Sequence, residues 1–258
     1  MQESSEVINN DYSIQVLDEE RGDGTIAFNA LLQNCLEAVV TVRLELQNMQ
    51  CDKPIPVTAN VVAGKARFNV ANIWAKPSGK ESRYWFKSSA ILGHTRSGVI
   101  HRHIYALPYQ GRKHLVSEVF PDRKAIPKFT QNEHFAVWRM PVGTKVCAAR
   151  GGVVIAVRMD VQKKDASSGN YVVVRHGDGT YGRYIHLQQN GLFARLGQKV
   201  VAGQLLALSG ASGAATYPQF AFQVYQPISG YTQRGFPLTF RTAKNEIIPL
   251  KPGKQYYL

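Results

Sequence analysis

The chain has 258 residues, 44% of them hydrophobic, and a formal net charge of +13. This length suits one large domain or two ordinary ones, and the composition is that of a globular protein. No apolar run approaches the roughly 20 residues that cross a bilayer, and three cysteines are too few for a disulfide framework. A single bridge between Cys35 and Cys51 stays open.

The positive charge is distributed unevenly along the chain. Residues 1–105 contain 11 Lys/Arg and 11 Asp/Glu, whereas residues 106–258 contain 20 and 7. This asymmetry predicts two domains with different partners. A basic surface attracts nucleic acid, anionic lipid and cell-wall polymers alike. Nucleic acid is not the expected partner, because no RNP, zinc-finger or helix-turn-helix pattern is present.

The first half contains short segments that are typical of strands. Thr41–Leu46 alternates polar and apolar residues, and Val57–Val62 and Tyr84–Phe86 have strand composition. Proline and glycine separate these segments. We therefore predict a small, neutral, β-sandwich-like domain over residues 1–105 and a linker over 106–118.

The second half has more turns. Two apolar runs, Val153–Val157 and Tyr171–Val174, flank a polar loop, and glycines separate many short Val-rich runs. These features predict a second all-β domain over residues 119–258. Leu196–Gln204 also has the hairpin rhythm of a lipoyl-type carrier, but no exposed-turn lysine in an acidic or small-residue context accompanies it.

Late in the chain, one strand-like segment has two different faces. Phe220, Phe222 and Val224 alternate with a second set, Gln219, Ala221 and Gln223. Residues two apart on a strand share a face, so the second set points away from the apolar side.

Four further segments follow one another in a characteristic order. They are Met140–Val154, Asn170–Tyr181, Tyr184–Leu187 with the pattern Tyr-x-His-Leu, and Leu196–Gly213. Together they resemble the lysostaphin/LytM-type zinc endopeptidases of the bacterial cell wall. The resemblance implies that the second domain is a LytM-type β-sheet domain of the duplicated-hybrid-motif kind.

The resemblance also implies where a metal site would lie. The family binds zinc through the His and Asp of an HxxxD motif and the second His of an HxH motif. Here His134 matches the first ligand, and Trp138 stands where the Asp should be. Gln219 and Ala221 replace the HxH histidines, while His186 matches an assisting histidine. With one of three ligands left, we expect no catalytic residue and no bound metal.

The expected function is therefore recognition rather than cleavage. The resemblance implies a catalytically inactive binding or regulatory module of the bacterial periplasm or cell envelope, its signal peptide already removed. Its partner would be peptidoglycan or an envelope protein such as a cell-wall amidase. Trp138 has two open interpretations, a groove anchor or a core residue. The expected groove-lining residues are His134, Trp138, His186, Gln219, Ala221 and Gln223.

Two alternatives remain. The first is an active zinc endopeptidase of peptidoglycan with rearranged ligands that converge on His134. The candidate ligands would be His101, His103, Glu118, Asp122 and Glu133. Metal content separates this alternative from the inactive module. The second is a general polyanion-binding module, for which steep salt dependence is the signature.

Overall fold

The chain divides into two compact units. The computed structural model describes residues 14–64, 66–111, 114–119, 134–162, 169–242 and 244–256, with the backbone of Glu6–Val7. The first unit is Met1–Thr95 with Pro227–Thr232, and the second is Arg96–Gln226 with Gln233–Leu258.

The first unit consists of two four-stranded sheets, ordered β1-β8-β4-β6 and β2-β3-β7-β5. Its strands are β1 (Glu6–Val7), β2 (Ile14–Glu20), β3 (Ile26–Leu32), β4 (Glu37–Gln47), β5 (Met49–Cys51), β6 (Val57–Val62), β7 (Phe68–Ala75) and β8 (Arg83–Leu92). The three strand segments predicted here all lie within strands, and Val57–Val62 matches β6 end to end.

The two sheets of the first unit share an apolar core. Phe28 of β3 packs edge-on against Phe86 of β8, with ring centroids 4.9 Å apart. The short segment Pro227–Thr232 also belongs to this unit. There the Gly230 N–H donates to the Thr41 hydroxyl at 2.9 Å. A Cβ at Gly230 would lie 2.1 Å from the Ser89 carbonyl oxygen, so no other residue fits this position.

The second unit is built on an eleven-stranded sheet with a separate three-stranded sheet, β21-β20-β9. Its strands are β9 (Ile104–Ala106), β10 (His114–Val119), β11 (Phe135–Arg139), β12 (Lys145–Cys147), β13 (Gly152–Arg158), β14 (Asn170–Arg175), β15 (Tyr181–Leu192), β16 (Lys199–Val200), β17 (Leu205–Ser209), β18 (Gln219–Pro227), β19 (Gln233–Gly235), β20 (Thr239–Arg241), β21 (Ile247–Pro249) and β22 (Gln255–Tyr256).

Strand β18 lies in the middle of the large sheet, between β15 and β11. Its residues Phe220, Phe222 and Val224 belong to one buried apolar cluster with Tyr184 of β15 and Trp138 of β11. The alternation along β18 therefore sets one face against the core and leaves Gln219, Ala221 and Gln223 on the other.

The predicted linker over 106–118 is wrong. Leu107 and Tyr109 are fully buried in the core of the second unit, and the Cys147 N–H donates to the Pro108 carbonyl at 3.0 Å. His114–Val119 forms β10, which pairs with β11. The division between the units falls at Thr95/Arg96 instead. Proline and glycine are typical of linkers, but the large apolar side chains of this segment pack into the core.

The described residues are all-β, as the sequence predicts, and include no helix. In particular, they contain no helix with the length and hydropathy needed to cross a lipid bilayer. Cys35 and Cys51 are free thiols, so the bridge left open by the sequence is not formed.

Candidate functional site

The region of interest is the face of the three central strands that lies opposite the core, which we call the groove face. Its three residues on β18 are at most 9% exposed. On β18 it carries Ala221, which lies opposite Val137 of β11 on one side and Ile185 of β15 on the other. The same alternation places further residues beside this pair. The groove face comprises Phe135, Val137, Arg139, Arg183, Ile185, Gln219, Ala221 and Gln223.

Trp138 does not lie on this face. It pairs with Phe220 across β11 and β18, and both side chains are fully buried. Their rings stack with centroids 5.5 Å apart. Of the two interpretations left open for Trp138, the structure selects the core residue. The expectation that Trp138 lines the groove is therefore wrong.

The pairing of β11 with β18 shifts the positions that correspond to the HxxxD motif by one residue from those expected from the sequence. Ligands of one zinc ion must share a face of the sheet, and Ala221 shares its face with Val137 rather than with Trp138. The Asp position of HxxxD therefore falls on Val137. Counting back four residues gives Glu133, which lies outside the described residues, rather than His134. His134 is half-buried and directly precedes β11.

The side chains at these positions do not fit a hydrolytic zinc ion. Val137 and Ala221 carry only alkyl groups, and Gln219 offers a neutral amide, which is a weak zinc ligand. Three protein ligands with an open fourth position are the usual requirement. Within the described parts of the chain, no group of three or more His, Cys, Asp or Glu side chains is arranged to hold a metal ion.

The three alternative ligands that the structure describes contact other residues. His101 Nε2 lies 3.1 Å from the Tyr105 hydroxyl, and the His103 ring packs edge-on against Tyr105 at 4.9 Å. The Tyr217 hydroxyl donates to Glu118 at 3.4 Å. Asp122 and Glu133 lie outside the described residues.

His186 keeps a constrained geometry. Its φ of +64° is in the left-handed region, which is unusual for a residue other than glycine. Its Nδ1 lies 2.9 Å from the Ser212 carbonyl oxygen. Burial lowers the pKa of His186, and the hydrogen bond to Ser212 opposes that shift in part. The neutral ring donates from Nδ1, because a carbonyl can only accept, and Nε2 is left as an acceptor.

A buried polar network holds the backbone around His186. The Ser212 hydroxyl donates to the Leu187 carbonyl at 2.8 Å and accepts from the Asn170 N–H at 2.9 Å. The Asn170 amide donates to the carbonyls of Val161 and Leu187 and accepts from the Val161 N–H. A Cβ at Gly169 would lie 2.6 Å from Ser212, so only glycine allows the backbone to come this close to Ser212. These bonds fix the left-handed turn that a free chain would avoid.

Two glutamine amides flank Ala221 along β18. Gln219 is 9% exposed and its side chain makes no hydrogen bond to the described residues. Gln223 is fully buried, and neither its amide nitrogen nor its oxygen has a hydrogen-bond partner there. Buried amides are nearly always satisfied, so Gln223 is an exception that calls for an explanation.

Each glutamine has an arginine opposite it, and each arginine stacks on a tyrosine. Arg139 lies across from Gln219 and its guanidinium is 4.1 Å from the Tyr217 ring centroid. Arg183 lies across from Gln223 and stacks on Tyr225 at 4.6 Å. The sequence interpretation missed these arginines, because nothing in the sequence links residues so far apart.

Comparison with known proteins identifies the family of this region. Residues 134–234 match the model of Peptidase family M23. Peptidoglycan DD-endopeptidase ShyA of Vibrio cholerae is 38% identical over 85 residues, which cover 33% of this chain and 18% of that protein. The match thus spans under a fifth of the length of this curated relative.

Two solved structures show a weaker likeness. The catalytic domain of the prophage-encoded M23 protein EnpA from Enterococcus faecalis is 22% identical, with coverage of 48% and 95% and a TM-score of 0.37. The catalytic domain of lysostaphin from Staphylococcus simulans is 23% identical, with coverage of 49% and 88% and a TM-score of 0.34. On the family match and the relationship to ShyA, the chain contains a domain of peptidase family M23, the LytM/lysostaphin-type family.

Proposed function

We propose that the M23 domain is a non-catalytic binding or regulatory module of the bacterial cell envelope. Its groove face would bind peptidoglycan or an envelope protein such as a cell-wall amidase. The relatives of this domain include peptidoglycan endopeptidases, which supports a cell-wall ligand. The protein would act in the periplasm or at the envelope and would need no zinc.

The observation that carries the proposal is the facing pair Val137 and Ala221. These residues occupy the two positions of the groove face where metal ligands would meet, and neither side chain has a lone pair to donate. A metal-activated water is the nucleophile of a hydrolytic zinc site. Without ligands to hold the ion, the surface retains its shape and its polar flanks, which suit recognition.

The preserved geometry of His186 supports recognition further. The strained backbone and its hydrogen-bond network remain although the ligand positions beside them are apolar. Strain of this kind persists where the surrounding structure imposes it, and it is concentrated at functional sites. In a binding groove the Nε2 atom would accept a hydrogen bond from a ligand amide.

The test combines metal analysis, digestion and sedimentation on one preparation of the full chain. Protein purified without affinity metal is loaded with zinc, dialysed and analysed, and in parallel it is incubated with purified peptidoglycan sacculi. Two variants accompany it. Ala221→Leu fills the middle of the groove face, and Ala202→Leu makes the same change at an exposed turn.

We expect substoichiometric zinc, no released fragments, and co-sedimentation that Ala221→Leu weakens and Ala202→Leu leaves intact. One tightly held zinc per chain, with fragment release that His134→Ala abolishes, would overturn the proposal in favour of an active peptidase with rebuilt ligands. Sedimentation that survives Ala221→Leu and disappears at physiological salt would instead indicate general polyanion binding.

A further inference from the structure

We infer that the groove face recognises a carboxylate of a peptidoglycan peptide through Arg139, which Tyr217 holds in place beside Gln219. This inference rests on the proposed function and specifies which chemical group of the wall is read. It concerns one end of the groove face, beyond the positions at which a metal would have been bound.

The first support is the state of the arginine. Arg139 forms no ion pair with any described residue, and its guanidinium lies on the Tyr217 ring at 4.1 Å. Glu118 is the nearby carboxylate, but it accepts from the Tyr217 hydroxyl rather than pairing with Arg139. An arginine stacked on an aromatic ring keeps its planar donors free for a carboxylate, which it binds through two parallel hydrogen bonds.

The second support is the neighbourhood of that arginine. Gln219 lies directly across from Arg139, and its backbone N–H is fixed by the Gly210 carbonyl at 3.0 Å. Its side-chain amide has no partner among the described residues. Among the described residues, an amide without a partner thus lies beside a guanidinium without an ion pair, and this arrangement matches a peptide terminus, which presents a carboxylate next to an amide group.

The third support lies further along β18. The fully buried amide of Gln223 has no partner within the described structure, and between the two glutamines lies only the small side chain of Ala221. A peptide extended along this strand would pass over Ala221, whose methyl group is the smallest side chain of the groove face. The Gln223 amide is itself buried, and it would gain a partner only where ligand binding exposes it.

The experiment uses the full chain with two batches of sacculi. One batch is native, and in the other the carboxyl groups are converted to amides with a carbodiimide and ammonium. Arg139→Gln removes the charge, Arg139→Lys keeps it without the planar fork, and Gln219→Glu sets an internal carboxylate opposite Arg139. Arg195→Gln, at an exposed position outside the groove face, is the control for net charge.

We expect native sacculi to bind Arg139→Gln and Gln219→Glu about ten-fold more weakly than wild type, Arg139→Lys to fall between, and Arg195→Gln to be unchanged. Amidated sacculi should bind wild type as weakly as native sacculi bind Arg139→Gln. Equal wild-type binding to both batches, still lost in Ala221→Leu, would overturn this inference while the proposed function stands.

No binding of wild type to native sacculi would overturn the proposed function and this inference together. In that case a poly-glutamate peptide serves as a second probe. Capture of that peptide in an Arg139-dependent manner, without sacculus binding, would reject the cell-wall carboxylate and assign the site to an acidic protein. Circular dichroism of each variant establishes that it is folded before binding is compared.

Discussion

Val137 lies directly opposite Ala221 on adjacent antiparallel strands, and both side chains point to the groove face. Directly opposite residues of such strands have Cβ atoms about 5 Å apart, close enough for two ligands to share one ion. In this chain the two positions are alkyl. Neither Val137 nor Ala221 can therefore supply a metal ligand at this point of the sheet.

Restoring donors at this pair tests the register. We expect Val137→Asp combined with Ala221→His to raise bound zinc from background toward one ion per chain, because both new donors face the same groove and Glu133 or His134 is near in sequence. Trp138→Asp with Ala221→His is the matched control, and it should gain no zinc. Metal analysis after dialysis decides the matter, and zinc in the Trp138 variant alone would contradict the register.

Trp138 should contribute to stability rather than to binding. Trp138→Ala removes a fully buried side chain that stacks on Phe220, so we expect the free energy of unfolding to fall by about 3–5 kcal/mol. Phe193→Ala, at a side chain that is 55% exposed, is the comparison and should change it by less than about 0.5 kcal/mol. Urea denaturation measures both. If Trp138→Ala reduced the free energy of unfolding only slightly and abolished sacculus binding, Trp138 would be a groove residue instead.

The left-handed backbone of His186 predicts which substitutions the domain tolerates at this position. His186→Asn should be nearly neutral, because Asn adopts this conformation readily. His186→Val should destabilise the domain by about 1–3 kcal/mol more, since a β-branched residue at φ +64° is strained. The comparison needs only thermal or chemical unfolding of the two variants, and equal stabilities would argue against the strained conformation.

His176 should make the second unit sensitive to mild acid. Its Nδ1 lies 3.0 Å from the Gly151 carbonyl oxygen, and burial lowers the pKa of His176 to about 4. In the unfolded chain the pKa is about 6.5, so the unfolded state binds more protons between these values. Stability is therefore full above about pH 6.5 and is lost as the pH falls toward 4.

The size of this effect can be measured by substitution. Between about pH 7.5 and about pH 5, His176 alone should reduce the free energy of unfolding by about 2 kcal/mol. His176→Asn retains a donor to Gly151 and cannot titrate, so its loss over that interval should be smaller by the same amount. Parallel pH dependences in the two proteins would show that His176 does not titrate as described.

The fold was largely predictable from local patterns. Alternation located part of β4, strand composition located β6 and part of β8, and the four family segments indicated the large sheet of the second unit. The linker prediction failed because the segment around Leu107 and Tyr109 has the composition of a connector. The burial of these two residues depends on partners that are distant in sequence. Composition describes a residue's own preference, and packing depends on what the fold brings to it.

For the site, the sequence by itself determined the residue types: Gln219, Ala221 and His186 stand where the family's chemistry would be. It could not determine the register of β11, because shifting a strand by one residue sends every side chain to the opposite face. Pairing with β18 therefore decided that Val137 faces the groove and Trp138 the core. Tertiary structure alone also brought Arg139 onto Tyr217, since a contact between residues of distant segments is made only when the sheet closes.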